Sequence, residues 1–205
     1  MFFDTETTGL PKCRDQAYKN PGNWPHIVSI AWIIPGQKKE YFLIKPQWEI
    51  PAESIRIHGI TYEKAMKEGS DLREVMDKFW IDLGNKPLIA HNIEFDSNVL
   101  INAEMWDLRR VYPPIKKMYC TMELTRNILK LPSPSFKGYK LPKLSELYEF
   151  IFKKIPEGLH TSLEDTEILV EIYMACPELQ TMINLVNTNT KIINEIPINS
   201  RTLYL

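Results

Sequence analysis

Residues 2–11 read FFDTETTGLP: two phenylalanines, an Asp4–Glu6 pair separated by one threonine, then a Thr-Thr-Gly-Leu-Pro run of turn-forming character. In an extended chain alternate side chains share a face, so Asp4 and Glu6 leave a strand on the same side. Such a pair admits two readings. Either the strand ends at Asp4 and both acids face water beside a Thr7–Gly9 turn, or they lie in the covered middle of a sheet and something neutralises them. In the second case a divalent cation is the economical partner. Hard carboxylate oxygens suit Mg²⁺ or Mn²⁺, and an unpaired buried charge is costly.

Beyond this stretch, a loop from Thr8 to Pro25 carries Pro11, Pro21, Gly22 and Pro25. Ile27–Ile34 and Glu40–Lys45 predict two further strands joined by Pro35-Gly36, which with the first make an antiparallel meander. The pattern then changes. Leu72, Val75, Met76, Phe79 and Leu83 form one stripe of an amphipathic helix, with Asp71 and Glu74 placed to cap it. Pro87–His91 reads as a strand, Ile93–Trp106 as a helix and Lys117–Thr121 as a strand. Helices follow at 121–129, 143–153 and 162–176, the last closed by Pro177. Strands first, then helix and strand in alternation, predict an α/β domain with a mixed sheet. That domain is expected to occupy 1–177. The asparagine-rich, weakly periodic 178–205 is expected to be a C-terminal extension, a helix or arm packed on the domain.

The chain of 205 residues is 44% apolar and 25% charged, close to globular averages, which argues against disorder and coiled coil. Lys plus Arg (25) nearly balances Asp plus Glu (26), so a globally basic nucleic-acid binder is excluded while a local patch is not. Lys130–Lys143 is such a patch, with four lysines, no acid, three prolines and the aromatics Phe136 and Tyr139. The Ile27–Ile34 run is too short to span a bilayer, and no basic or apolar leader precedes Asp4, so neither a membrane anchor nor a secretory signal is expected. Three scattered cysteines fit a reducing intracellular compartment, cytoplasm or nucleus, and neither a disulfide framework nor a zinc site.

Three more residues bear on the acid pair. Asp96 and Asp165 each fall in the first turn of a predicted helix, where the macrodipole alone favours an acid. His160 sits at the entrance to the second of these helices. Singly, each is ordinary. Their order is not: FFDTETTGLP, then AHNIEFDSNVL (90–100), then HTSLEDTEILVEIY (160–173) resemble the three exonuclease motifs of the DnaQ-like (DEDD) 3′–5′ exonuclease superfamily. HIVSIAWII, PAESIRIHGIT, CTMELTRNILKL and KLPKLSELYEF fall between them in the expected order, so the resemblance runs from Met1 to about Cys176. A histidine five residues before Asp165, with Thr161 where the other branch has tyrosine, resembles the histidine (DEDDh) branch.

The resemblance implies a ribonuclease H-like fold, a five-stranded mixed sheet flanked by helices. It implies two-metal hydrolysis of phosphodiester bonds from a 3′ end, releasing nucleoside 5′-monophosphates. Asp4, Glu6 and Asp165 would hold a first Mg²⁺ or Mn²⁺, Asp4 would bridge to a second, and Asp96 would act through water. His160 would accept the proton of the nucleophilic water. Thr7, through its backbone, and Leu10 would lie beside the terminal nucleotide, His58 near its base, and Asn92 in the second motif with His91. DNA with single-stranded, frayed or mismatched ends is the favoured substrate. The alternatives are an exoribonuclease resembling RNase T or oligoribonuclease, or a silent subunit that holds nucleic acid or a polymerase. A polymerase or a second copy of the chain are the expected protein partners. Two departures stand out. Ser162 replaces a usual alanine and is expected to act as a helix cap. The first strand is short, which predicts a weakly anchored sheet edge near the site.

Overall fold

The computed structural model describes residues 1–158 and 160–188, the last four by their backbone alone. Five strands, β1 (Phe2–Thr7), β2 (Ile27–Ile34), β3 (Lys38–Leu43), β4 (Leu88–Ala90) and β5 (Met118–Cys120), form one sheet in the order β3-β2-β1-β4-β5. The first three pair antiparallel, and β1–β4 and β4–β5 pair parallel. The meander and the mixed sheet are both as expected.

β1 is therefore the middle strand, and the expected weak edge is corrected. Its shortness is compensated by neighbours on both sides, and Phe2 and Phe3 are both buried. β2 has all eight residues buried because helices cover both faces, which is why its sequence is continuously apolar rather than alternating.

The helices are α1 (Ala52–His58), α2 (Tyr62–Glu68), α3 (Leu72–Leu83), α4 (Ile93–Asn102), α5 (Thr121–Leu129), α6 (Leu144–Phe152), α7 (Ser162–Ala175) and α8 (Pro177–Thr188). α3 matches its predicted stripe, and the Asp71 carboxylate accepts the backbone N–H groups of Arg73 and Glu74, a cap that stabilises by about 1 kcal/mol. On the α3/α4 side, Phe3, Trp32 and Phe79 pack edge to face with ring centroids 5.4–5.6 Å apart. On the other side Phe2, Ile89 and Tyr119 pack against α5 to α8, where Leu179 and Ile183 of α8 are fully enclosed. Pro177 thus begins a helix as well as ending one. The remainder of the expected extension, from 189 onward, lies outside the described residues.

Two features differ from the sequence reading. α1 and α2, seven residues each and mostly exposed, carry no apolar stripe to announce them. The predicted helix 93–106 widens after Asn102 into a π-helical turn, Ala103–Asp107, closed by the Leu108 N–H donating to the Ala103 carbonyl. That turn anchors the loop before β2. Trp106 Nε1 donates to the Ala17 carbonyl at 2.7 Å, the Ala17 N–H donates to Asn98 Oδ1 at 2.8 Å, and His26 Nδ1 lies 3.0 Å from the Asp107 carboxylate. His26 also stacks on Trp48, ring centroids 3.6 Å apart and nearly parallel.

Candidate active site

β1 has an antiparallel neighbour on one side and a parallel one on the other, and the site lies towards its carboxyl end, where ligands of α/β sheets commonly bind. The period of two puts Asp4 and Glu6 on the face of Phe2, towards α7, and Thr5 on the face of Phe3, towards α4. α7 crosses β1 and β2. Its N-terminus is fixed by the Thr161 hydroxyl, which accepts the Glu164 N–H. One turn later Asp165 points back to the strand, and carboxylate oxygens of Asp4, Glu6 and Asp165 lie within 4.8 Å of one another.

Asp96 approaches from the other side. It is 3% exposed, and its Oδ1 accepts the Thr5 hydroxyl at 2.7 Å. Its carboxylate stands outside the group of three yet is close enough to repel Asp4. The electrostatics of the four acids agree. Burial, then repulsion from Asp96, Asp165 and Glu6, holds Asp4 well above the usual carboxylate range. Burial and the two aspartates push Glu6 up to about 8. Burial raises Asp96 to about 7 against the Thr5 hydrogen bond, and burial raises Asp165 to about 6 against His160. Among the described residues, burial and neighbouring carboxylates dominate Asp4 and Glu6, and all of them push upward. A cluster of hard oxygen donors whose carboxylates repel one another fits a divalent cation.

His160 is exposed. Its ring makes no hydrogen bond among the described residues, while its backbone N–H donates to Asp165 Oδ1 at 3.4 Å. Its φ of +91° is strained for a residue with a side chain, and such outliers gather at functional sites. Thr7 is buried with its hydroxyl donating to the Gly9 carbonyl, and Leu10 is 80% exposed at the rim. His58 ends α1, with Gly59 beyond it at φ +70°, a conformation that glycine adopts without strain. The buried His58 ring accepts the Ile60 N–H on Nδ1 at 3.1 Å, so its own proton sits on Nε2, which faces the Thr7 backbone.

Asn92 is exposed and its side chain does not cap α4. His91 does fasten the strand-to-helix turn: Nε2 donates to the Pro142 carbonyl at 2.9 Å and Nδ1 meets the Thr121 hydroxyl at 3.1 Å. Burial holds this ring down at about 4, hence neutral. Ser162 is not the cap expected of it. Thr161 occupies that position, and the fully buried Ser162 hydroxyl pairs with Ser29 of β2 at 2.9 Å. Thr5 escaped the sequence reading, though its place between two acids on the opposite face was a usable signal.

The exonuclease family model RNase_T matches residues 1–173. The chain belongs to that family. It is a 3′–5′ exonuclease of the DnaQ-like, DEDDh type, and the family depends on divalent metals. DNA polymerase III subunit epsilon of Rickettsia prowazekii is 31% identical over 179 residues, covering 85% of this chain and 72% of that protein. Among solved structures, the nuclease domain of 3′hExo, a DEDDh family member bound to rAMP, has a TM-score of 0.63 at 16% identity, covering 93% and 92% of the two chains. Exonuclease X in complex with 5′ overhanging duplex DNA has a TM-score of 0.55 at 24% identity, covering 91% and 90%. Both likenesses are of fold. Among the described residues no helix is long and apolar enough to cross a membrane.

Proposed function

We propose that the chain trims the 3′ ends of single-stranded, frayed or mismatched DNA, with Asp4, Glu6 and Asp165 holding Mg²⁺ or Mn²⁺ and Asp96 completing the acid set. The observation that carries this reading is the three carboxylates within 4.8 Å of one another, raised by burial and with Asp4 and Glu6 repelled by their neighbours. Divalent ions bound there would supply neutralising charge and Lewis-acid polarisation of the scissile phosphodiester.

The protein's own residues divide the remaining work. His160, exposed at the rim and tied through its backbone to Asp165, takes the proton of the attacking water, a task suited to imidazole near neutral pH. Thr5 fixes the orientation of Asp96. The Thr7 backbone and the exposed Leu10 flank the terminal nucleotide, with His58 beside the Thr7 backbone and the exposed Asn92, at the start of α4, as a further contact. The relatives named as DNA polymerase III epsilon subunits favour DNA as the polymer and a polymerase as the partner.

The test uses 5′-labelled single-stranded DNA, paired DNA, mismatched-end DNA and single-stranded RNA, each with Mg²⁺, Mn²⁺ or EDTA. A ladder shortening from the 3′ end, absent in EDTA and in Asp4→Ala, is the expected result. Undiminished cleavage by Asp4→Ala overturns the site. Degradation of RNA with DNA spared overturns the polymer preference alone.

A further inference from the structure

The segment between α5 and α6 is an ordered hairpin rather than a loose linker. The Ser133 N–H donates to the Gly138 carbonyl at 3.0 Å and the Lys140 N–H to the Leu131 carbonyl at 2.9 Å, on either side of a Pro132–Tyr139 bridge. Its base is fastened where the His91 ring donates to the Pro142 carbonyl. His91 directly follows β4, and the helix after it carries Asp96, so the hairpin stands on the βα junction that forms one wall of the acid site.

The outward face is chemically distinctive. Lys130, Lys137 and Lys143 are exposed, and only Lys140 is turned inward to the Glu146 carboxylate. The Phe136 ring is 58% exposed and Tyr139 40%. Phe136 leans on Gly138, where an added Cβ would crowd the ring at 3.2 Å and where φ is +140°, a turn conformation that favours glycine. A polyanion approaching four acids needs positive charge beside the cleft, and this hairpin offers cations with aromatic faces set among them.

We propose that the 130–143 hairpin seats the single strand upstream of the 3′-terminal nucleotide, its exposed lysines meeting phosphates and Phe136 and Tyr139 stacking on bases. The proposal rests on the exonuclease reading above, and it concerns how a strand is held rather than how it is cut.

Two double variants, Lys130→Glu/Lys137→Glu and Phe136→Ala/Tyr139→Ala, test it. Binding of a fluorescein-labelled oligothymidylate about twelve nucleotides long is followed by anisotropy in Ca²⁺, and each variant's turnover of the p-nitrophenyl ester of thymidine 5′-monophosphate is measured beside it. The ester has no upstream strand. Both variants should bind the oligonucleotide about tenfold or more weakly while hydrolysing the ester at the wild-type rate. The lysine variant should also lose about 1.4 from its log K against log salt slope, for two single-strand phosphates released. Unchanged affinity and salt slope overturn the proposal, as does a fall in ester hydrolysis matching the fall in binding, which would place the hairpin in the cleft itself. Should wild type hydrolyse neither the ester nor, in Mg²⁺ or Mn²⁺, the oligothymidylate, the acid site's reading fails, and the anisotropy comparison still decides the hairpin.

Discussion

The Thr5 hydroxyl donates to Asp96 Oδ1 at 2.7 Å, so the strand that presents Asp4 and Glu6 on one face also orients the acid of α4 from its other face. That bond opposes the upward push of burial on Asp96, which still stands at about 7. Thr5→Val keeps the shape and removes the donor. Asp96 should then rise further and compete better with the metal, moving the acid limb of the kcat/KM profile, measured at limiting Mn²⁺, about one pH unit upward and cutting the rate below it by about tenfold. Thr5→Ser should restore the limb. A profile for Thr5→Val that overlays wild type would detach Thr5 from the site's electrostatics.

In the metal-free protein the acid cluster makes stability fall as pH rises. Folded Glu6 stands at about 8, Asp96 at about 7 and Asp165 at about 6, against about 4 for unfolded carboxyls. Between those values the folded chain binds more protons than the unfolded one, so raising the pH favours unfolding. Thermal melts in chelator should show a contribution from the acid cluster that falls from about pH 4, where the unfolded carboxyls ionise, to about pH 8. Added Mn²⁺ or Mg²⁺ should remove the drop by favouring the ionised acids. A level midpoint in chelator would mean that the acids are hydrated and well separated.

His91 acts with the opposite sign. Burial holds it at about 4, while the unfolded imidazole titrates near about 6.5. Below that pH the unfolded chain takes up the proton that the folded ring refuses, so stability is lost as pH falls from about 6.5 to about 4. His91→Gln retains a donor towards the Pro142 carbonyl without the titration. The melting difference between wild type and His91→Gln should therefore change across that window and be constant above it, a comparison in which the acid cluster cancels.

The His26–Asp107 pair ties the end of the long loop to the π-helical turn, with the Asp107 side chain 3% exposed. His26→Ala also forfeits the Trp48 stack and should cost about 1–3 kcal/mol in urea titrations. A double-mutant cycle with Asp107→Ala should give a coupling of about 1 kcal/mol. Additivity would show that the contact stabilises nothing.

Local patterns legible in the sequence were those with a single physical cause. Ile27–Ile34 is apolar throughout because it is covered on both faces, and Pro25 and Pro35 bracket it, so its limits follow. α3 follows from one stripe and one cap. The acids were legible as an ordered set of motifs, whereas the chemistry of Asp96 taken alone was not, because a first-turn aspartate is ordinary on any helix. What stayed hidden depends on distant partners. Nothing local to His26 points to Asp107, 81 residues away. The π-helical turn leaves the apolar pattern of 93–106 unbroken, since its extra residue is accommodated by a wider turn rather than by a different residue type. Ser162 reads as a cap by residue type, yet its hydroxyl is drawn inward by Ser29, 133 residues earlier.

His160 lies outside the group of three carboxylates, and its ring is exposed, so its loss should separate binding of metal from turnover. His160→Ala should leave Mn²⁺ affinity, read by calorimetry, close to wild type while lowering kcat by about 10²–10⁴. Asp165→Ala should lose the metal itself. The backbone adds a second, independent handle. At φ +91° the histidine carries strain of roughly 1–3 kcal/mol that glycine does not. His160→Gly should thus be at least as stable as wild type in thermal melts, yet as slow as His160→Ala. A destabilised His160→Gly would mean that the ring makes packing contacts, and a fully active one would move the proton acceptor to another residue.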